Sequence, residues 1–180
     1  MKKFVVVLLA SLALVGMAGA AETSNGQLVV NGTVTGYTLL SVTNSPITVT
    51  FAGTGAAGTA NRDASLNLKA NRPTWTITFH SASGGLLVSE NVEASSKIPY
   101  YLQVVPGTLP SGMTLTNGLS AANTQLTEDK TVAATAAGRT PKAGIDFTLK
   151  VTAADQADAD ILWQADTAYT DTVTITVSQP

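Results

Sequence analysis

A polar–apolar alternation with a period of two residues recurs along this chain from residue 27 onward, and it restricts the fold more than any other feature. The clearest examples lie at 74–79, 144–151 and 170–177. Successive side chains of a strand point to opposite faces, so this pattern predicts half-buried antiparallel strands. Further segments of this kind lie at 27–34, 37–43, 46–51, 64–70, 86–89, 98–105, 113–116 and 131–135.

The segments between these strands are rich in turn-forming residues. Glycine, proline, serine and asparagine cluster at 44–46, 53–58, 83–85, 106–112 and 138–141. The only helical turn that the pattern suggests is at 153–161, which is short and weakly amphipathic. Many short strands without helices between them predict an all-β fold, an immunoglobulin-like antiparallel β-sandwich. A closed barrel is the alternative.

The first 21 residues have the pattern of a secretory signal peptide. Lys2 and Lys3 precede an apolar run at 4–15, and AGA at 18–20 has the small-residue form of a cleavage site. The 12 residues of that run reach only about 18 Å, short of a bilayer core of roughly 30 Å. We therefore expect a secreted protein with no membrane span in the mature chain. The remainder divides into an N-terminal extension at 22–36 and a sandwich domain at 37–180.

The composition excludes several classes of function. The formal net charge is −2 and the chain has no cysteine. A nucleic-acid binder would show an excess of basic residues, so we expect no nucleic-acid partner. Without cysteine there is no thiolate nucleophile, no Cys-ligated zinc and no disulfide framework. A secreted fold of this composition depends on its apolar core alone.

The search for catalytic or cofactor-binding residues finds little. His80, the only histidine, lies on the polar side of its strand and is expected to be solvated. No phosphate-binding or dinucleotide motif occurs, so we predict neither an enzyme nor a cofactor. Asp155, Asp158, Asp160 and Asp166 offer oxygen ligands for calcium, but their spacing matches no EF-hand, and a solvated acidic loop is the simpler interpretation.

The large apolar side chains fall at the inward phases of the strands. We expect the core to include Trp75, Ile77, Phe79, Phe147, Leu149, Val173 and Ile175, with Phe51 and Trp163 as further aromatic candidates. Tyr100 and Tyr101 are adjacent, so a strand directs one ring to each face and one of them is expected to be exposed. A sugar-binding surface would need several exposed aromatic rings, and the sequence offers few.

The N-terminal extension is itself amphipathic with a period of two. Leu28, Val30, Gly32 and Val34 share one side, so the segment has the character of a strand that covers a sheet edge. The dipeptide Asn31-Gly32 is also a strong signal for a tight hairpin turn. If that turn forms, residues 27–36 fold back on themselves, and this alternative stays open.

Four segments of the chain resemble the spore coat protein U family, the secreted pilin-like subunits of archaic chaperone-usher systems. They are GQLVVNGTVTGYTLLSV at 26–42, LNLKA with WTITF at 66–79, KIPYYLQV at 97–104 and AYTDTVTITV at 168–177. The last is the most specific, since the family ending reads G-x-Y-x-D-T-V-T-V-T-V. The likeness covers most of residues 26–178. The family commonly carries a disulfide near the start of the domain, which this chain lacks.

The resemblance implies an incomplete immunoglobulin-like sandwich that lacks its last strand. In that family the N-terminal segment of a neighbouring subunit fills the gap by donor-strand complementation. Carried over to this sequence, the donor-strand face is Leu28, Val30, Gly32 and Val34, and the acceptor edge lies beside Val173, Ile175 and Val177. The implied partners are other copies or related subunits, with a periplasmic chaperone and an usher. The implied location is the periplasm in transit and then the cell surface or a fimbrium.

Three classes of function follow from this sequence. The first is a structural subunit of a surface pilus or coat that polymerises through its N-terminal strand. The second is a monomeric cell-surface β-sandwich for adhesion or carbohydrate binding. A secreted hydrolase ranks last because it would need a pair of carboxylates that the sequence does not mark.

Overall fold

The computed structural model describes residues 36–50, 59–60, 62–89, 97–136, 139–153 and 168–179 of the 180-residue chain. In these ranges the regular secondary structure consists of β-strands only. The strands are β1 (Thr38–Thr43), β2 (Val49–Thr50), β3 (Thr59–Ala60), β4 (Ala64–Ala70), β5 (Trp75–Ser81), β6 (Leu86–Ser89), β7 (Lys97–Pro106), β8 (Thr114–Asn117), β9 (Lys130–Ala136), β10 (Ile145–Ala153), β11 (Tyr169–Thr170) and β12 (Val173–Ser178).

The strands form two antiparallel sheets. The larger sheet has the order β1-β4-β10-β7-β6-β11, with β3 attached to β10 and β2 attached to β3. The smaller sheet has the order β12-β5-β9-β8. Two sheets that share one apolar core constitute a β-sandwich, so the predicted fold class is confirmed. The barrel alternative is wrong, because the sheets end in separate edge strands.

The core lies between the sheets and contains the side chains that the alternation predicted. Trp75, Ile77 and Phe79 of β5 are at most 1% exposed, and Phe147 of β10 is also 1% exposed. The rings of Trp75 and Phe147 meet edge to face, with centroids 6.2 Å apart and an interplanar angle of 86°. Leu149 belongs to the same cluster, and Val173 and Ile175 pack against it. The predicted core is therefore confirmed for the described residues.

One continuous segment, β11 followed by β12, carries the chain from the larger sheet to the smaller one. β12 pairs with β5 from Val173 opposite Ser81 onward, and β11 pairs with β6 from Thr170 opposite Val88. The continuous strand predicted at 170–177 is therefore wrong, since the chain changes sheets at residues 171–172. Alternation survives this change because the side-chain period continues through it, so the pattern gave no sign of the break.

Other predicted elements differ in extent. The strand expected at 46–51 is limited to Val49–Thr50 in the described part, and it follows a turn in which Asn44 has a positive φ of 62°. Tyr100 is buried, as one ring of the tyrosine pair must be, whereas Tyr101 is half-buried rather than exposed. Within the described ranges no helix has the length and apolar character needed to cross a bilayer.

Several predictions fall on residues outside the described ranges. These are the signal peptide at 1–21, the donor-strand face at Leu28, Val30, Gly32 and Val34, the Asn31-Gly32 turn, Phe51, Trp163, and the acidic residues Asp155, Asp158, Asp160 and Asp166.

Candidate functional site

The predicted acceptor residues lie on an edge strand. β12 pairs with β5 on one side, and none of the other described strands pairs with its second side. Val173, Ile175 and Val177 are half-buried, whereas the inward residues of the neighbouring β5 are fully buried. The apolar face of β12 is therefore only partly covered, and its outer backbone groups have no strand partner among the described residues.

An apolar groove of about 400 Å³ opens beside β12. Its lining includes Val173 and Ile175 of β12, together with Val42, Ile47 and Val49 from β1 and the chain that follows it. Leu149 and Val151 of β10 contribute from the larger sheet. Val177 packs against the core but is not part of the groove wall. The structure thus brings two of the three predicted acceptor residues into one groove.

β1, which contributes Val42 to the groove, is an edge strand among the described strands as well. β1 pairs only with β4 among the described strands, in register from Thr38 opposite Ala70 to Thr43 opposite Ser65. The large apolar residues that are most exposed in the described chain are all here: Tyr37 at 52%, Leu39 at 54% and Val42 at 42%. No charged residue or proline lies within β1. Charged residues and proline are two usual protections of an edge strand, and β1 has neither.

A polar cluster occupies the corner where the chain passes from β11 in the larger sheet to β12 in the smaller one. The Asp171 carboxylate accepts hydrogen bonds from the Ser81 hydroxyl at 2.6 Å, the Tyr100 hydroxyl at 2.6 Å and the Ser83 amide at 3.0 Å. The Ser81 oxygen in turn accepts the Gly85 amide at 2.7 Å. Asp171 and Tyr100 both line the groove, so its wall is polar at this corner. The cluster joins β5, β7 and the start of β12.

Gly85 allows the corner to close tightly. Its φ is +73°, a backbone conformation that residues with a side chain rarely adopt. A Cβ added at this position would lie 2.6 Å from Cγ of Gln125 and 2.8 Å from the Leu126 amide nitrogen. The Gly85 carbonyl accepts hydrogen bonds from the Tyr100 amide at 3.0 Å and the Gln125 side chain at 3.1 Å. The turn between β5 and β6 is therefore held by β7 and by the connection between β8 and β9.

The environment of Tyr100 keeps its hydroxyl protonated. Burial raises the pKa of Tyr100 well above its ordinary value, and the hydrogen bond to Asp171 raises it further. The hydroxyl therefore remains a hydrogen-bond donor through the physiological pH range.

His80 was the one catalytic candidate of the sequence, and the structure places it at the surface. His80 lies on the outer face with its Nδ1 atom 2.7 Å from Oδ1 of Asp129, and the two side chains are 61% and 59% exposed. The expectation that His80 is solvated is confirmed. No group of three metal-ligating side chains occurs in the described part of the chain.

The polar cluster was missed by the sequence analysis, although the sequence carries a signal for it. Asp171 is in phase with Val173 and Ile175, Ser81 is in phase with Phe79, and Tyr100 is in phase with Leu102. A polar group on the inward side of a strand must find a partner, because its burial is otherwise costly. What the pattern could not supply is that these three residues meet.

Comparisons of this chain with protein-family models, curated proteins and solved structures find no match.

Proposed function

We propose that this protein is a secreted structural subunit of a surface pilus or coat. Subunits join by donor-strand complementation, in which residues 26–34 of one copy enter the groove beside β12 of the next. The observation that carries the proposal is the combination of an apolar groove of about 400 Å³ with an edge strand along its wall. The resemblance of four sequence segments to the spore coat protein U family also supports this proposal.

The groove and the edge meet the two requirements of an added strand. The outer side of β12 offers backbone donors and acceptors, and the groove offers apolar walls for alternate side chains. Strand addition of this type satisfies the backbone through the edge and obtains its specificity from the pockets for alternate side chains. A small-molecule site would instead need several convergent polar groups, and the groove has a polar group mainly at its Asp171 corner.

Residues 26–34 have the composition that such a groove requires. Leu28, Val30, Gly32 and Val34 alternate with Val29, Asn31 and Thr33, and the chain contains no charged residue between Glu22 and Arg62. Nine extended residues span about 30 Å, and the six residues of β12 span about 20 Å. The segment can therefore cover the whole of β12 without burying a charge.

Joining through different surfaces of the two copies produces a fibre. A donor segment and an acceptor groove are heterologous surfaces, and a contact of this kind extends head to tail unless the rotation happens to close a ring. Before assembly the empty groove would leave apolar walls in water, a liability for association with wrong partners. A periplasmic chaperone and an usher are the proposed partners that cover it in transit.

The proposal is tested by the electrophoretic behaviour of exported protein. We expect a ladder of polymers in unboiled samples that collapses to the monomer on boiling. Val30→Asp would place a carboxylate in the apolar groove at a cost of several kcal/mol, so its ladder should disappear. Asn31→Asp, which adds the same charge to the opposite face of the segment, is the matched control and should keep the ladder.

A free peptide decides between trans and cis pairing. A synthetic peptide of residues 22–36 should bind to the Val30→Asp protein and raise its melting temperature, since the groove of that variant is empty. If the peptide neither binds nor stabilises this variant, residues 22–36 belong to their own sandwich. The protein would then be the monomeric cell-surface domain for adhesion or carbohydrate binding.

A further inference from the structure

Asp171 is the one acidic side chain among the described residues that line the groove. The other described lining residues are apolar except for Ser45 and the Tyr100 hydroxyl, and Asp171 is the residue from which the alternation continues to Val173 and Ile175. A strand that lies along β12 and continues past Val173 would present one of its alternate residues to this carboxylate.

The Asp171 carboxylate is held in place but not neutralised. Three donors, from Ser81, Tyr100 and Ser83, bond to its two oxygens. An ionised carboxylate has about four acceptor positions, so about one is left for a further donor. The ion pairs of the described residues join His80 to Asp129 and Lys130 to Glu128, and neither includes Asp171. Among the described residues, the carboxylate has no cationic partner and has room for one more hydrogen bond.

We infer that Asp171 determines the register of the strand that enters the groove, by excluding an apolar side chain from the position that faces it. This inference rests on the proposed function and specifies its occupant further. An apolar side chain at that position would remove water from a charge without replacing its hydrogen bond. Glycine leaves room for water, and a side-chain donor such as an amide completes the coordination. With Gly32 at that position, a shift of the occupant by two residues in either direction would bring Val30 or Val34 against the carboxylate.

The N-terminal extension at 22–36 carries suitable residues at the phase of its proposed donor-strand face. Ser24, Gly26 and Gly32 share the side of Leu28, Val30 and Val34. Each of the three can face Asp171 without placing an apolar side chain there, whichever direction the strand takes. Asp171 would act by weakening the binding of a strand in a wrong register, and it would not strengthen the binding in the right one. Specificity would therefore come from exclusion.

The test compares leucine with asparagine at each of these three positions in the peptide of residues 22–36. The full chain carrying Val30→Asp serves as the acceptor, and binding of the labelled peptides is measured by fluorescence anisotropy. Leucine and asparagine have similar shapes, but only asparagine can donate a hydrogen bond. We expect leucine to bind at least tenfold more weakly than asparagine at one position, and the two to differ less than threefold at the other two.

Asp171→Asn in the same acceptor should reduce that tenfold preference to less than threefold. The matched control is Asp146→Asn, which removes the carboxylate of an exposed residue of β10. This substitution should leave the preference unchanged. A purely structural role of Asp171 would weaken all peptides equally. Equal binding of leucine and asparagine at every position would overturn the inference and leave the proposed function intact. Failure of the unmodified peptide to bind would overturn both.

Discussion

The hydroxyl of Tyr100 donates a 2.6 Å hydrogen bond to the carboxylate of Asp171, and this contact joins β7 of the larger sheet to the segment that enters the smaller one. The two residues are 71 positions apart in the chain. The Ser81 hydroxyl bonds to the same carboxylate oxygen, so one acidic group connects β5 and β7 to the segment between β11 and β12. In a chain without disulfides, this cluster is a polar connection between the two sheets.

Tyr100→Phe should change how stability depends on alkaline pH. Because the pKa of Tyr100 is higher in the folded protein than its ordinary value of 10.0, the unfolded chain loses this proton first as the pH rises. The contribution is therefore complete below pH 10 and is lost above it, at a rate of up to about 1.4 kcal/mol per pH unit for one group. Urea unfolding between pH 8 and 11 should show a steeper decline for the wild type than for Tyr100→Phe. Parallel curves would contradict this account.

Phe147→Ala should destabilise the sandwich by about 3 to 5 kcal/mol. Phe147 is 1% exposed and meets the Trp75 ring edge to face, so the substitution leaves a cavity in the middle of the core. Chemical unfolding followed by tryptophan fluorescence measures the loss. Thr148→Ala, on the outward side of the same strand, is the control and should remain within about 0.5 kcal/mol of the wild type. An unchanged midpoint for Phe147→Ala would show that this strand is misassigned.

Ile175→Glu should prevent assembly through the groove. Ile175 lies in the groove wall, so a glutamate there would place a second negative charge in the path of the proposed donor strand. Thr176→Glu points to the opposite face of β12 and should polymerise like the wild type. The comparison is made on unboiled gels, with far-ultraviolet circular dichroism to verify that both variants are folded. Polymers of equal length from both variants would exclude β12 as the acceptor.

The exported protein should begin at Ala21 or Glu22, directly after the small-residue pattern at 18–20. N-terminal sequencing of material from the culture medium or the periplasm identifies the first residue. A mature form that begins at Met1 would mean that the apolar run is an anchor. The donor segment would then not be free to reach a neighbour.

The sequence predicted most of the fold because most strands alternate without interruption. β4 and β5 change from buried to half-buried at nearly every residue, and their limits were predicted to within two residues. β3 was not predicted, since two residues carry no periodicity and Thr59–Ala60 is extended through its pairing with β2 and β10. The groove could be expected only as a consequence of family resemblance. The polar corner depends on contacts between distant strands, which local patterns do not encode.

The passage of the chain from β11 in one sheet to β12 in the other also determines how the domain would respond to tension. β12 is bonded along its length to β5, and through residues 171–172 it continues into β11, which is bonded to β6. Antiparallel hydrogen bonds lie perpendicular to the strands, so a pull along β12 loads many of them together in shear. Part of that load passes at once into the larger sheet. A fibre joined along this strand would therefore resist stretching with both layers of each subunit rather than with one peeled strand.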